Sequence, residues 1–153
     1  MPNDPLHRDL EATLKARLDG EVRFDAISRV LYSTDASNYQ IEPIGVVIPR
    51  TVEDVVRTVE TAAQYNVSIL PRGGGTSLAG QAVGHALVID FSKYLNRVLE
   101  LNLENRTVRV QPGIYLEQLN RYREHFIDNA MRAVFWLREQ DLKTFTTRAA
   151  ECW

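Results

Sequence analysis

Cysteine is almost missing: Cys152 is the single one in 153 residues. That excludes an internal disulfide framework, a cysteine zinc site and an iron–sulfur cluster ligated only from within the chain. A reducing, cytoplasmic setting is the expectation. A surplus of either charge is missing too, since 18 Lys and Arg stand against 20 Asp and Glu for a formal net charge of −2. Without a basic footprint, neither nucleic acid nor an anionic membrane surface is an expected partner. Long apolar runs are absent. Runs such as Gly45 to Ile48 and Ala86 to Ile89 are strand-sized, far below the ~20 residues of a spanning helix. Met1 to Gly20 carries charges throughout, where a secretory signal needs an uninterrupted apolar stretch. A soluble protein without a membrane span is expected. His7, His85 and His125 lie far apart with no metal-ligand spacing, so they read as solvated or structural, and no metal is expected. Finally, residues 114–153 hold neither glycine nor proline, although all eight glycines and six prolines precede them. The texture of the chain changes there.

What is present suffices for one compact unit with a real core, since a chain of this length hides roughly 70% of its unfolded surface on folding. Leu6, Leu10, Leu14 and Leu18 recur between Pro5 and Gly20 and predict an amphipathic helix closed by a left-handed glycine. Ser33 to Asn38 reads as a loop. Ile44 to Ile48, stopped by Pro49, predicts a strand buried on both faces. Thr51 then caps a helix with Val52, Val55, Val56, Val59, Ala62 and Ala63 on its apolar side and Glu53, Asp54, Arg57 and Glu60 on its wet side. Val67 to Leu70, ended by Pro71, completes a strand-helix-strand unit with a parallel strand pair. Ala86 to Phe91 is a third apolar strand, Arg97–Leu101 with Arg106–Gln111 a hairpin, and Tyr115, Leu116, Leu119 and Tyr122 restart a helical period after Pro112-Gly113. The fold class is therefore α/β or α+β.

The segment with most chemistry is Pro71-Arg72-Gly73-Gly74-Gly75-Thr76-Ser77-Leu78-Ala79-Gly80-Gln81, directly after a predicted strand. Consecutive residues without Cβ permit positive φ and let backbone N–H groups form a nest around an anion. Thr76 and Ser77 add hydroxyl donors, and a diphosphate is the natural ligand. Arg72 either neutralises part of that charge or enters a structural ion pair, and the residues leave both open. The same composition also suits a flexible surface turn. Neither the lysine of a Walker loop nor the third glycine of a G-x-G-x-x-G pattern is present, position 78 being leucine.

This string, with Tyr32 to Ser37, Gly45 to Arg50, Ala86 to Asp90 and Val108 to Gly113 in order around it, resembles the FAD-binding domain of FAD-linked oxidases, the vanillyl-alcohol oxidase or PCMH type. Within that family it is most similar to bacterial D-2-hydroxyacid dehydrogenases of the glycolate oxidase, D-lactate and D-2-hydroxyglutarate dehydrogenase kind. The resemblance covers Val22 to Asn120. It implies the first lobe of a PCMH-type domain over residues 22–120, behind an N-terminal helix over 1–21. It also implies that Arg72, Gly73, Gly74, Gly75, Thr76 and Ser77 wrap the FAD pyrophosphate, with Gly80 and Gln81 continuing along the cofactor. Relatives with covalent flavin often carry histidine where Thr76 stands, so FAD is expected to be non-covalent. The flavin would take a hydride from the α-carbon of a hydroxy acid.

After Asn120 the family continues with a Pro-His-Gly segment, an Asp-Pro pair and a glycine-rich second lobe, none of which appears here. A truncated or frame-shifted product is the expectation for 121–153, with a packed helix of Tyr122, Phe126, Ala130, Val134 and Leu137 as the alternative. FAD affinity would then be low, catalysis by the chain alone is not expected, and a separate chain would have to supply the missing lobe and substrate domain. The rival functional reading is a non-catalytic remnant or interaction module that binds no flavin. No catalytic residue is nominated: Asp35 and Asp90 read as caps. Phe135, Trp136, Phe145 and Trp153 read either as an exposed apolar patch or as core.

Overall fold

The computed structural model describes residues 5–121 apart from 103, 104 and 106. The expectations for residues 122–153, among them the tail helix, the aromatic patch, His125 and Cys152, and for Arg106 in the hairpin, lie outside the described residues. The elements are α1 (Pro5–Arg17), β1 (Glu21–Arg23), α2 (Ala26–Leu31), β2 (Gly45–Ile48), α3 (Val52–Gln64), β3 (Ile69–Arg72), β4 (Leu87–Asp90), β5 (Val98–Asn102) and β6 (Thr107–Val110). A short helical turn follows over 116–121. No described helix is long and apolar enough to cross a membrane.

Four strands form one sheet in the order β1-β2-β4-β3. β1 runs antiparallel to β2, while β2, β4 and β3 are parallel. The strand-helix-strand unit β2-α3-β3 exists, but its strands are not neighbours, because β4 enters between them. The apolar strands β2 and β4 are buried along their whole length and so take the centre, where both faces are covered. β3 carries Pro71, which has no N–H to give to a ladder, and it lies at the edge. Its pairing continues through Pro71 to Arg72, two residues past the expected end. β5 and β6 form the expected antiparallel hairpin as a separate sheet.

Leu10 and Leu14 of α1 meet Ile44, Val47, Ala62 and Leu87 in the main core, as the leucine spacing predicts. Gly20, by contrast, is not left-handed. A Cβ there would stand 2.6 Å from the Ile48 carbonyl oxygen and 3.0 Å from Pro49 Cα, so close backbone approach is what requires glycine. β1 and α2 carry no clear sequence signal. α2 begins at Asp25, whose carboxylate accepts the Ser28 N–H at 2.9 Å.

The α3 period is right and its phase is not. Asp54, Thr58, Thr61 and Ala62 are the buried residues, whereas Val52, Val56 and Val59 are exposed. Polar groups can occupy the inner face because each has a partner there. Thr58 and Thr61 donate their hydroxyls to the Asp54 and Arg57 carbonyls at 2.6 and 2.7 Å. Asp54 closes a capping box with Thr51 and also accepts the Asp19 and Arg50 N–H groups at 3.0 and 2.9 Å.

Glu21, at the β1 edge, accepts from Lys93, from the Tyr94 hydroxyl at 2.7 Å and from Arg23. These bonds, in that order of weight, lower its pKa from 4.5 to about 2. A carboxyl depressed on folding adds stability above its unfolded pKa and loses it as pH falls through the folded one. The thermal midpoint of the wild type should therefore exceed that of Glu21→Gln above pH 4.5, with the gap closing towards pH 2. A gap independent of pH over this window would refute the assignment.

Candidate functional site

The three parallel strands end on one side of the sheet, at Ile48, Arg72 and Asp90. That edge of an open parallel sheet is where ligands bind, because the departing loops leave a crevice. The glycine segment leaves β3 there and itself returns the chain to β4 without a helix.

Arg72 turns inward. Its guanidinium donates to the Ala82 carbonyl at 2.9 Å, the Thr34 carbonyl at 2.9 Å and the Tyr32 carbonyl at 3.4 Å. It also lies over the Tyr32 ring, 5.2 Å from the centroid, within cation–π distance. Of the two roles left open by sequence, charge neutralisation and a structural contact, these bonds match the second, although the partners are carbonyls and not an acid. Tyr32 in turn donates to Asp90. Burial first, and then this carboxylate, raise the phenol pKa, so it stays a donor. Asp90 also accepts the Ser92 N–H at 2.8 Å, an Asx turn and not a helix cap, since no helix follows it before β5.

Of the three consecutive glycines only Gly75 has a positive φ, +65°, and further along Gly80 has +78°. A Cβ on Gly75 would stand 2.5 Å from Arg72 Nη2. On Gly74 it would meet the Tyr115 ring at 2.5 Å, and on Gly80 the Tyr39 ring at 2.7 Å. Absent side chains thus let an arginine and two tyrosines close on the loop from within. Ser77 Oγ accepts the N–H groups of Ala79 and Gln81 at 3.3 and 3.0 Å and donates to Gln81 Oε1. Ser77 and Gln81 are thereby engaged with each other.

The backbone donors on the other side remain. The N–H groups of Gly73, Gly74, Gly75, Thr76, Ser77, Leu78 and Gly80 have no acceptor among the described residues. Gly74, Thr76, Leu78, Ala79 and Gln81 are exposed. Unpaired N–H groups on a loop with left-handed turns are the chemistry of an anion nest, which needs no basic side chain. The loop therefore fits a pyrophosphate through its backbone. Among the described residues no group of three His, Cys, Asp or Glu is placed to hold a metal ion.

Sequence reasoning missed the segment that backs the loop. Asp35 accepts the N–H and hydroxyl of Ser37 and, at 3.3 Å, the Ala82 N–H. The Ala36 N–H donates to the Gly75 carbonyl at 3.1 Å. The Ser37 hydroxyl is the main cause holding the Asp35 carboxyl below the usual range. An Asp-x-Ser turn signature was there to be read; nothing in the sequence marked Tyr39 or Tyr115 as neighbours of the loop.

Residues 43–126 match the family model described as FAD binding domain. D-2-hydroxyglutarate dehydrogenase of Escherichia coli K12 is 41% identical over 110 residues, covering 70% of this chain and 11% of that protein. The glycolate oxidase subunit GlcD of Bacillus subtilis is 37% identical over 103 residues, covering 64% of this chain and 22% of that protein. The chain thus spans a small part of the length of these curated relatives. The solved structure of p-cresol methylhydroxylase with substrate bound shares the fold, with TM-score 0.71 over 81% of this chain and 25% of that one at 20% identity. By the match over residues 43–126, which spans more than half of the chain, the chain belongs to the FAD binding domain family.

Proposed function

We propose that the chain binds the pyrophosphate of FAD through the loop Arg72 to Gln81, as part of an FAD-linked oxidoreductase that oxidises a D-2-hydroxy acid. The supporting observation is the set of N–H groups at Gly73, Gly74, Gly75, Thr76, Ser77, Leu78 and Gly80 without an acceptor among the described residues, on the exit edge of a parallel sheet. In this reading Gly73, Gly74, Gly75, Thr76 and Ser77 face the diphosphate with their backbone, Gly80 and Gln81 continue along the cofactor, and Arg72 holds the loop from behind. Residues 22–120 are the partial FAD-binding domain. Thr76 offers no imidazole for a flavin bond, so the cofactor is held non-covalently.

Bound flavin would supply the acceptor for a hydride from the substrate α-carbon. The chain's own part is to bind and orient. In this reading the group that takes the hydroxyl proton belongs to another lobe or chain. Substrate choice is set there as well.

A ligand that binds only the folded state raises its melting midpoint. Titration with FAD should therefore quench flavin fluorescence saturably and raise the midpoint, and inorganic pyrophosphate should compete weakly. Absence of saturation would sink the proposal in favour of a scaffold that binds no flavin. Pyrophosphate binding as tight as FAD binding would replace it by a general anion module.

A further inference from the structure

The geometry points to Asp35 as the positioning residue of the glycine loop: a side chain that touches no cofactor and fixes the loop in its anion-ready shape through the peptide of Ala82. This rests on the FAD reading above. The loop leaves the sheet at Arg72 and is caught again at Ala82, and that one residue is gripped on both backbone groups. Its carbonyl accepts from the Arg72 guanidinium at 2.9 Å, and its N–H donates to Asp35 Oδ2 at 3.3 Å. Opposite charges thus hold opposite ends of one residue, and between them the loop is closed into a ring.

Asp35 is held in turn. Its other oxygen, Oδ1, accepts the Ser37 N–H at 2.9 Å and the Ser37 hydroxyl, so the carboxylate is locked in an Asx turn with one oxygen free for the loop. The Thr34 carbonyl, one residue before it, takes Arg72 Nη2, and the Ala36 N–H, one residue after it, takes the Gly75 carbonyl. Residues 34–36 therefore form a short template against which the left-handed turn at Gly75 is set. A loop rich in glycine has many other shapes open to it, and apparent affinity falls in proportion to the fraction that is binding-competent. Fixing residue 82 removes much of that freedom before the ligand arrives.

The test uses the full chain, FAD as ligand and two variants. Asp35→Ala should weaken FAD binding about tenfold or more, leave the ligand-free melting midpoint in place, and speed hydrogen exchange of the Ala82 amide without changing that of the β4 amides. FAD binding as tight as in the wild type would overturn the proposal and leave the FAD reading standing. A wild type that does not saturate with FAD overturns both. If the alanine variant melts early, Asp35→Asn decides: its single acceptor oxygen is kept by the two Ser37 donors of the Asx turn, and the Ala82 N–H then faces an NH2 group that cannot accept it. Weakened FAD binding at an unchanged midpoint supports the positioning role, and unchanged binding overturns it.

Discussion

Gly75→Val is expected to weaken FAD binding on the order of 100-fold while leaving the sheet folded. At φ +65° a β-branched residue is strained, at roughly 1–3 kcal/mol. Its Cβ would also lie 2.5 Å from Arg72 Nη2 and 2.9 Å from Cζ. The guanidinium cannot move aside freely, because carbonyls at Tyr32, Thr34 and Ala82 hold it. Each 1.4 kcal/mol is about a factor of ten in binding, so strain and displacement together reach two orders of magnitude. Gly73→Ala is the control: Gly73 has no positive φ, and its loss of affinity should be much smaller. Equal effects at 73 and 75 would mean that turn geometry is not what the loop contributes.

Asp54→Ala should have the largest effect on stability, about 3 kcal/mol by urea unfolding, with the thermal midpoint down by roughly 10 °C. The carboxylate is 1% exposed and accepts three backbone N–H groups, from Asp19, Arg50 and Thr51. Truncation leaves all three donors without that acceptor and removes half of the capping box. A lost cap alone costs about 1 kcal/mol, and each buried orphaned donor adds to it. Thr51→Ala, which removes only the hydroxyl that accepts the Asp54 N–H at 3.1 Å, should cost about 1 kcal/mol. Losses of similar size in the two variants would show that the carboxylate's bonds to the Asp19, Arg50 and Thr51 N–H groups carry no weight.

These contrasts explain what could be read from the residues. Apolar strands at 45–48 and 87–90, the Thr51 cap and the glycine loop after β3 were all legible, because each follows from a local rule of burial, capping or backbone freedom. The phase of α3 was not, since Asp54, Thr58 and Thr61 are inside only by virtue of bonds to their own helix and to residues far away in sequence. The direction of Arg72 was hidden for a similar reason. Its acceptors are main-chain carbonyls at 32, 34 and 82, and a carbonyl looks alike at every position. Hydrophobic period reports which elements form; it says little about which polar group a fold chooses to bury.

The placement of β4 between β2 and β3 also sets an order of events in the cell. On a ribosome β2, α3 and β3 emerge first, yet the two strands share no hydrogen bond and wait for a partner that has not been made. Pairing of Gly45 and of Ile69 with Leu87 joins residues distant in sequence, and such closures are slow. The sheet is therefore completed by a late insertion, and a nascent chain halted between residues 82 and 86 would carry the whole glycine loop without the strand that fixes its far end.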